Sequence, residues 1–183
     1  RVGKRHIVST QIEHKAVLEP LEALGLRGFE VTLVPPNPGG WVDPDEVRKA
    51  VRPDTFLVTV MHVNNETGVV QPLAEIASLL ASHEAYLHTD AAQGFGKELP
   101  QLRIRRVDML SASAHKIYGP KGAGALIVRR RGFERIPLEP LSYGGGQERG
   151  LRPGTLPVPL IVGLGGAAEL ALRDISSRRD RCS

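Results

Sequence analysis

Cysteine is nearly absent from this chain. Cys182 is the one thiol in 183 residues, so no internal disulfide can form and no multi-cysteine zinc site can be built. That removes the secreted, disulfide-stapled class and fits a reducing cytoplasm. Aromatic residues are few as well: four Phe, three Tyr and one Trp, scattered along the chain, offer no stacking platform for single-stranded nucleic acid. No segment approaches the run of about 18 apolar residues that spans a membrane. The chain opens with Arg1 rather than Met, shows no basic segment followed by an apolar run and a cleavage site, and reads as a piece of a longer protein.

What is present is ordinary for one globular domain: 41% hydrophobic and 24% charged residues in a length that can support one core. The net charge of +4 hides an asymmetry, because residues 101–183 carry 15 basic and 7 acidic side chains against 9 and 13 in residues 1–100. A basic half suits nucleic acid or an anionic small molecule. The scattered aromatics favour the small molecule, with no direct nucleic-acid partner. The densest basic run, Arg129-Arg130-Arg131, reads as a solvated strand end.

Short β-rich runs alternate with helical patterns. His6 to Ser9, Val31 to Val34, Phe56 to Val60, Ala85 to His88, Val107 to Leu110 and Ala123 to Val128 read as strands, mostly buried. Between them, Lys15 to Leu26, Pro44 to Val51 and Pro72 to Ala81 place apolar residues three or four apart, with Val17, Leu18, Leu21 and Leu24 forming one stripe and Leu73, Ile76, Leu79 and Leu80 another. Strand, helix and strand in repetition require parallel crossovers, so the fold class is α/β: a mainly parallel sheet with helices on both faces. Asp43 before Pro44 reads as a helix cap and a first-turn proline. A glycine-rich loop, GGGQERGLRPGT, precedes an apolar helix from about Pro159 to Leu172, and residues 173–183 form a polar tail that frays.

Open α/β sheets hold ligands at the carboxyl ends of their strands. Asp90 stands at one such end, as a site carboxylate or simply a helix cap. The strand from Val107 leads into Ser111-Ala112-Ser113-Ala114-His115-Lys116, which brings a hydroxyl, an imidazole and an amine within a few residues. Lys116 lies between two strands, and an ammonium desolvated near other cations loses basicity, as Schiff-base chemistry requires. Asn64 and Asn65 follow a third strand end, as an Asx turn or as ligand contacts. His14 opens the first helix, in the same crevice or merely partly buried.

Five segments together carry a resemblance: EHKAV at residues 13–17, MHVNNETGVVQP at 61–72, HTDAAQGFGK at 88–97, SASAHKIYGPKGAGAL at 111–126 and GGGQERGLRPGT at 144–155. In order and spacing they are similar to the pyridoxal-phosphate-dependent cysteine desulfurases of the class V aminotransferase group. The resemblance runs to about Leu172. It implies the large domain of a fold-type I enzyme over residues 1–172, incomplete at both ends, with pyridoxal 5'-phosphate as cofactor and no metal.

By that resemblance Lys116 holds the cofactor as a Schiff base, Ser113 and His115 contact its phosphate, and Asp90 pairs with the pyridine nitrogen. Gln93 contacts the ring hydroxyl oxygen, His14 stacks on the ring and helps to move protons, and Asn65 holds the substrate or a cofactor oxygen. Thr155 reaches the phosphate of a partner subunit, which implies a homodimer. The implied reaction converts L-cysteine to L-alanine and leaves sulfur as a persulfide on an enzyme cysteine, for transfer to an acceptor protein; whether the sulfur goes on to iron–sulfur clusters, tRNA or DNA is not readable. Cys182, only 27 residues beyond Thr155 and in a charged tail, departs from the position of the persulfide cysteine. The expectation is therefore a partial or truncated chain that does not turn over cysteine alone. A selenocysteine lyase, another enzyme of the same group, or a non-catalytic desulfurase-like scaffold are the alternatives.

Overall fold

The computed structural model describes residues 3–181, apart from the side chain of Arg179. Six strands form one sheet: β1 (His6–Thr10), β2 (Glu30–Val34), β3 (Thr55–Thr59), β4 (Tyr86–Asp90), β5 (Met109–Ser113) and β6 (Gly124–Val128). Their spatial order is β2-β1-β3-β4-β5-β6, with the first five parallel and β6 antiparallel to β5. Helices α1 (Lys15–Gly25), α2 (Pro44–Ala50) and α3 (Leu73–Leu79) make the crossovers. Stepping left to β2 and then right to β3 and β4, right-handed connections put α1 on one face and α2 with α3 on the other. The last two contact each other.

The α2/α3 face holds the main core. Val8, Val58 and Leu87 of the sheet pack with Val47, Leu73, Ile76 and Leu80, all almost wholly buried. The α3 stripe is thus confirmed except at Leu79, which is exposed. On α1 only Leu21 is buried, and Pro20 inside the helix removes one backbone donor. Asp43 caps α2 as expected, accepting from the Asp45 N–H at 2.8 Å.

Two strands run further than the apolar pattern suggested. β4 continues to Asp90 and β5 to Ser113, because Asp90 registers with Ser111 and β5 pairs along its whole length with β6. The polar residues are therefore the last residues of strands, held by ladder hydrogen bonds, and not the start of free loops.

The arginine run corrects the expectation of a solvated strand end. Arg129 donates to the carbonyls of Leu102, Ile104 and Val107. Arg131 grips the buried Asp108 with two hydrogen bonds of 2.7 Å, and Arg106 joins the same carboxylate at 2.6 Å. Arg130 alone of the three is exposed. Nor is the stretch after residue 172 simply a frayed tail: beyond α4 (Val158–Arg173) a short helix, α5 (Ile175–Asp180), places Arg178 over the ring of Tyr118 at 5.1 Å. Cys182 lies outside the described residues. No helix among the described residues is long and apolar enough to cross a membrane.

Candidate active site

Parallel strands end on the same side of a sheet, so β1, β3, β4 and β5 deliver their following residues to one rim. A pocket of about 380 Å³ opens there. His14, Asn65, Asp90 and Gln93 line it, with Ser113, His115 and Lys116 completing the wall. Seven of the eight site residues expected from sequence thus meet in one place. Thr155 does not line this pocket; it is exposed, in the loop before α4.

Each polar group is held by local structure. After β1 the chain turns and His14 becomes the N-cap of α1, its Nδ1 accepting from the Ala16 N–H at 3.1 Å. That bond leaves the neutral ring's proton on Nε2. Asp90 is both of the things its position allowed: it lines the pocket, and its Oδ1 accepts from the Ala92 N–H at 2.9 Å to cap the following turn. Gln93 follows on that turn, which settles directly onto His62. A Cβ on Gly94 would lie 2.0 Å from Nδ1 of His62, so only glycine lets the backbone approach this closely.

Lys116 sits on a single 3-10 turn, Ala114–Ile117, just past the end of β5. Tyr118 ends that turn in the left-handed region at φ 68°, an unusual conformation for an aromatic residue. The hydroxyl of Ser113 and Nδ1 of His115 are hydrogen-bonded at 2.8 Å, forming a polar pair beside the lysine. Lys97 lies near enough for the charge of Lys116 to help burial depress its basicity.

Asp90 is backed by His88, two residues earlier on the same face of β4. His88 is bonded to Thr59 at 2.8 Å, and burial pushes its pKa below the usual value although Asp90 pulls the other way. A buried carboxyl, Glu13, stands outside this lining and accepts from the N–H of Met61, which belongs to it. Met61, Val63, Ala16 and Ala92 add an apolar part to the wall. They carry no chemistry that a motif could flag.

The donor set suits pyridoxal phosphate. Among the lining residues there is one primary amine, Lys116, and one carboxylate, Asp90, as an aldehyde coenzyme with a basic ring nitrogen requires. The Ser113–His115 pair offers hydrogen bonds to an anion. The volume lies within the ordinary small-molecule range of about 300–1,000 Å³.

The aminotransferase class-V family model matches residues 2–181. The chain belongs to that family. It is 54% identical over 172 residues to the mitochondrial cysteine desulfurase of Arabidopsis thaliana, covering 94% of this chain and 38% of that protein. Among solved structures, DndA from Streptomyces lividans superposes with a TM-score of 0.93 at 56% identity, over 97% of this chain and 50% of the other. SspA in complex with cysteine gives 0.82 at 48% identity, over 91% and 47%. The chain thus spans about two-fifths of the curated relative and half of each solved chain.

These relatives overturn one expectation. Those from Arabidopsis, Drosophila melanogaster and Saccharomyces cerevisiae are named mitochondrial, against the cytoplasmic reading. A scarcity of cysteine reports on redox conditions and does not say which reducing compartment holds a protein.

Proposed function

We propose that this chain is the cofactor-binding part of a pyridoxal-phosphate-dependent cysteine desulfurase, which converts L-cysteine to L-alanine and passes the sulfur, as a persulfide on an enzyme cysteine, to an acceptor protein. The observation that carries this reading is the gathering of Lys116, Asp90, Gln93, His14 and the Ser113–His115 pair around one pocket at the strand ends. The complex of SspA with cysteine, at 48% identity to this chain, supports a cysteine substrate.

When bound, the coenzyme supplies an electron sink for negative charge developing at the substrate α-carbon. Nζ of Lys116 anchors it and, when free, moves a proton at that carbon. Asp90, fixed by the Ala92 N–H, keeps the ring nitrogen protonated. Gln93 orients the ring through its hydroxyl oxygen, and Ser113 with His115 holds the phosphate. His14, its Nδ1 occupied by the helix cap, would present Nε2–H as a hydrogen-bond donor toward the bound coenzyme. Asn65 orients the substrate. Thr155, exposed here, serves the phosphate of a second subunit in a homodimer.

The test uses the protein carrying this chain, loaded with pyridoxal phosphate. Borohydride reduction should fix the coenzyme's mass on the peptide containing Lys116, and alanine should be released from L-cysteine. Lys116→Ala should remain folded while losing both. Coenzyme fixed elsewhere, or alanine release surviving that substitution, overturns the reading.

A further inference from the structure

Glu13 is the residue before the helix cap His14 and is only 5% exposed. Its Oε1 accepts two hydrogen bonds, from the Met61 N–H at 2.6 Å and from the Thr10 hydroxyl at 3.0 Å. One side chain thereby ties the end of β1 to the chain leaving β3. Its bridge partner Met61 and its chain neighbour His14 both line the pocket. The other oxygen, Oε2, is buried and has no hydrogen-bond partner among the described residues. A buried carboxylate with one bare oxygen is far costlier than a neutral carboxylic acid in the same place.

The charges around it point the same way. Thr10 and Met61 are uncharged, and Asp90 is the anion whose field Glu13 feels. Burial pushes the Glu13 carboxyl up to about 8, outweighing the Met61 and Thr10 hydrogen bonds, which favour the charged form; Asp90 adds a smaller push in the same direction as burial. A second negative charge here would also compete with Asp90 for the cationic ring that the proposed function needs.

We propose that Glu13 is a positioning residue of the site: a carboxylic acid that keeps its proton while bridging β1 to Met61, so that His14 and Met61 stand in place and Asp90 remains the pocket's sole anion. The part of this concerning Asp90 and the coenzyme rests on the proposed function; the neutral bridge itself does not.

The experiment therefore starts on the coenzyme-free protein, with melting temperature followed from about pH 5 to pH 9 in the wild type and in Glu13→Gln. A folded-state pKa raised above the unfolded value gives stability that is full below the unfolded pKa and is lost as pH rises through the folded one. Wild type should lose stability relative to Glu13→Gln up to about pH 8. Parallel profiles overturn the proposal whether or not the coenzyme assignment holds. In the second step Glu13→Ala should weaken pyridoxal phosphate about tenfold through loss of the bridge, and the neutral isostere Glu13→Gln should restore it. A Glu13→Gln protein as weak as Glu13→Ala shows that the charge is needed and overturns the proposal. Should Glu13→Gln not fold, the wild-type infrared spectrum decides. The carbonyl stretch of a protonated carboxyl, present at about pH 7 and lost by about pH 9, supports the neutral bridge; its absence at about pH 7 overturns it.

Discussion

Ala167 on the buried side of α4 lies against Gly119, three residues past Lys116, so closely that a Cβ on Gly119 would stand 3.0 Å from that of Ala167. The contact repeats along the helix. A Cβ on Gly163 would meet Pro120 at 2.8 Å, and one on Gly96 would meet Ala171 at 3.0 Å. A row of small residues on α4 thus presses the lysine turn against the end of the sheet.

Ala167→Leu should separate helix and turn. Overpacking of this kind costs about 1–3 kcal/mol, and here part of the cost falls on the geometry of Lys116. The expected outcome is a lower melting temperature together with a reduced yield of borohydride-fixed coenzyme on Lys116. Leu170→Ala, on the exposed side of the same helix, should leave that yield unchanged.

Asp108→Ala should be among the most destabilising single changes in the chain. The carboxylate is 3% exposed and neutralises Arg106 and Arg131, while also accepting from the Leu87 N–H at 2.7 Å. Its removal strands two partly buried guanidinium groups and one strand N–H. Breaking a buried pair typically costs about 3–5 kcal/mol, and partial exposure of the arginines puts this case near the lower figure. Denaturant unfolding measures it, and Arg130→Ala, at the exposed position, should cost within about 0.5 kcal/mol.

Much of this architecture was legible in the residues. The alternation of β-rich runs with three-and-four spacing marked the six strands and a mainly parallel sheet, though not the antiparallel β6, and Asp43-Pro44 marked a helix start to the residue. The strand ends at Asp90 and Ser113 were read short because apolar patterning stops where the polar site residues begin, whereas the ladder does not. The arginine run was misread for a related reason: guanidinium groups that bind carbonyls and a buried aspartate look identical in sequence to those that bind water. The seven residues that line the pocket each sit in a motif, which is why sequence alone could single them out. Glu13 carries no comparable signal, because its burial and its bond to Met61, 48 residues away, are not visible in sequence.

Acid should destabilise the fold through its buried histidines. His6, His62 and His88 all have pKa values pushed below the usual 6.5, burial being the first cause for each. A depressed folded-state pKa gives stability that is present above the unfolded value and lost as pH falls through the folded one, so the decline should begin below about pH 6.5. His62 is the telling case, because both of its ring nitrogens are buried without partners among the described residues. His62→Leu should flatten part of the acid decline in melting temperature while costing less than about 1.5 kcal/mol at neutral pH, since no hydrogen bond is lost. An unchanged acid profile would show that His62 does not contribute.

Asp90 does two jobs that substitution can separate. Its Oδ1 caps the turn by accepting from the Ala92 N–H, and in the proposed function its charge holds the proton on the coenzyme ring. Asp90→Asn keeps an acceptor oxygen for the cap and discards the charge; Asp90→Ala discards both. Stability should therefore fall by about 1 kcal/mol in the alanine variant and little in the asparagine variant. Alanine release from L-cysteine by the loaded protein should fall at least about a hundredfold in both, the scale of losing one preorganised electrostatic contact. If Asp90→Asn instead retains most of the activity, the aspartate is a cap and nothing more, and the ring nitrogen must find its partner elsewhere.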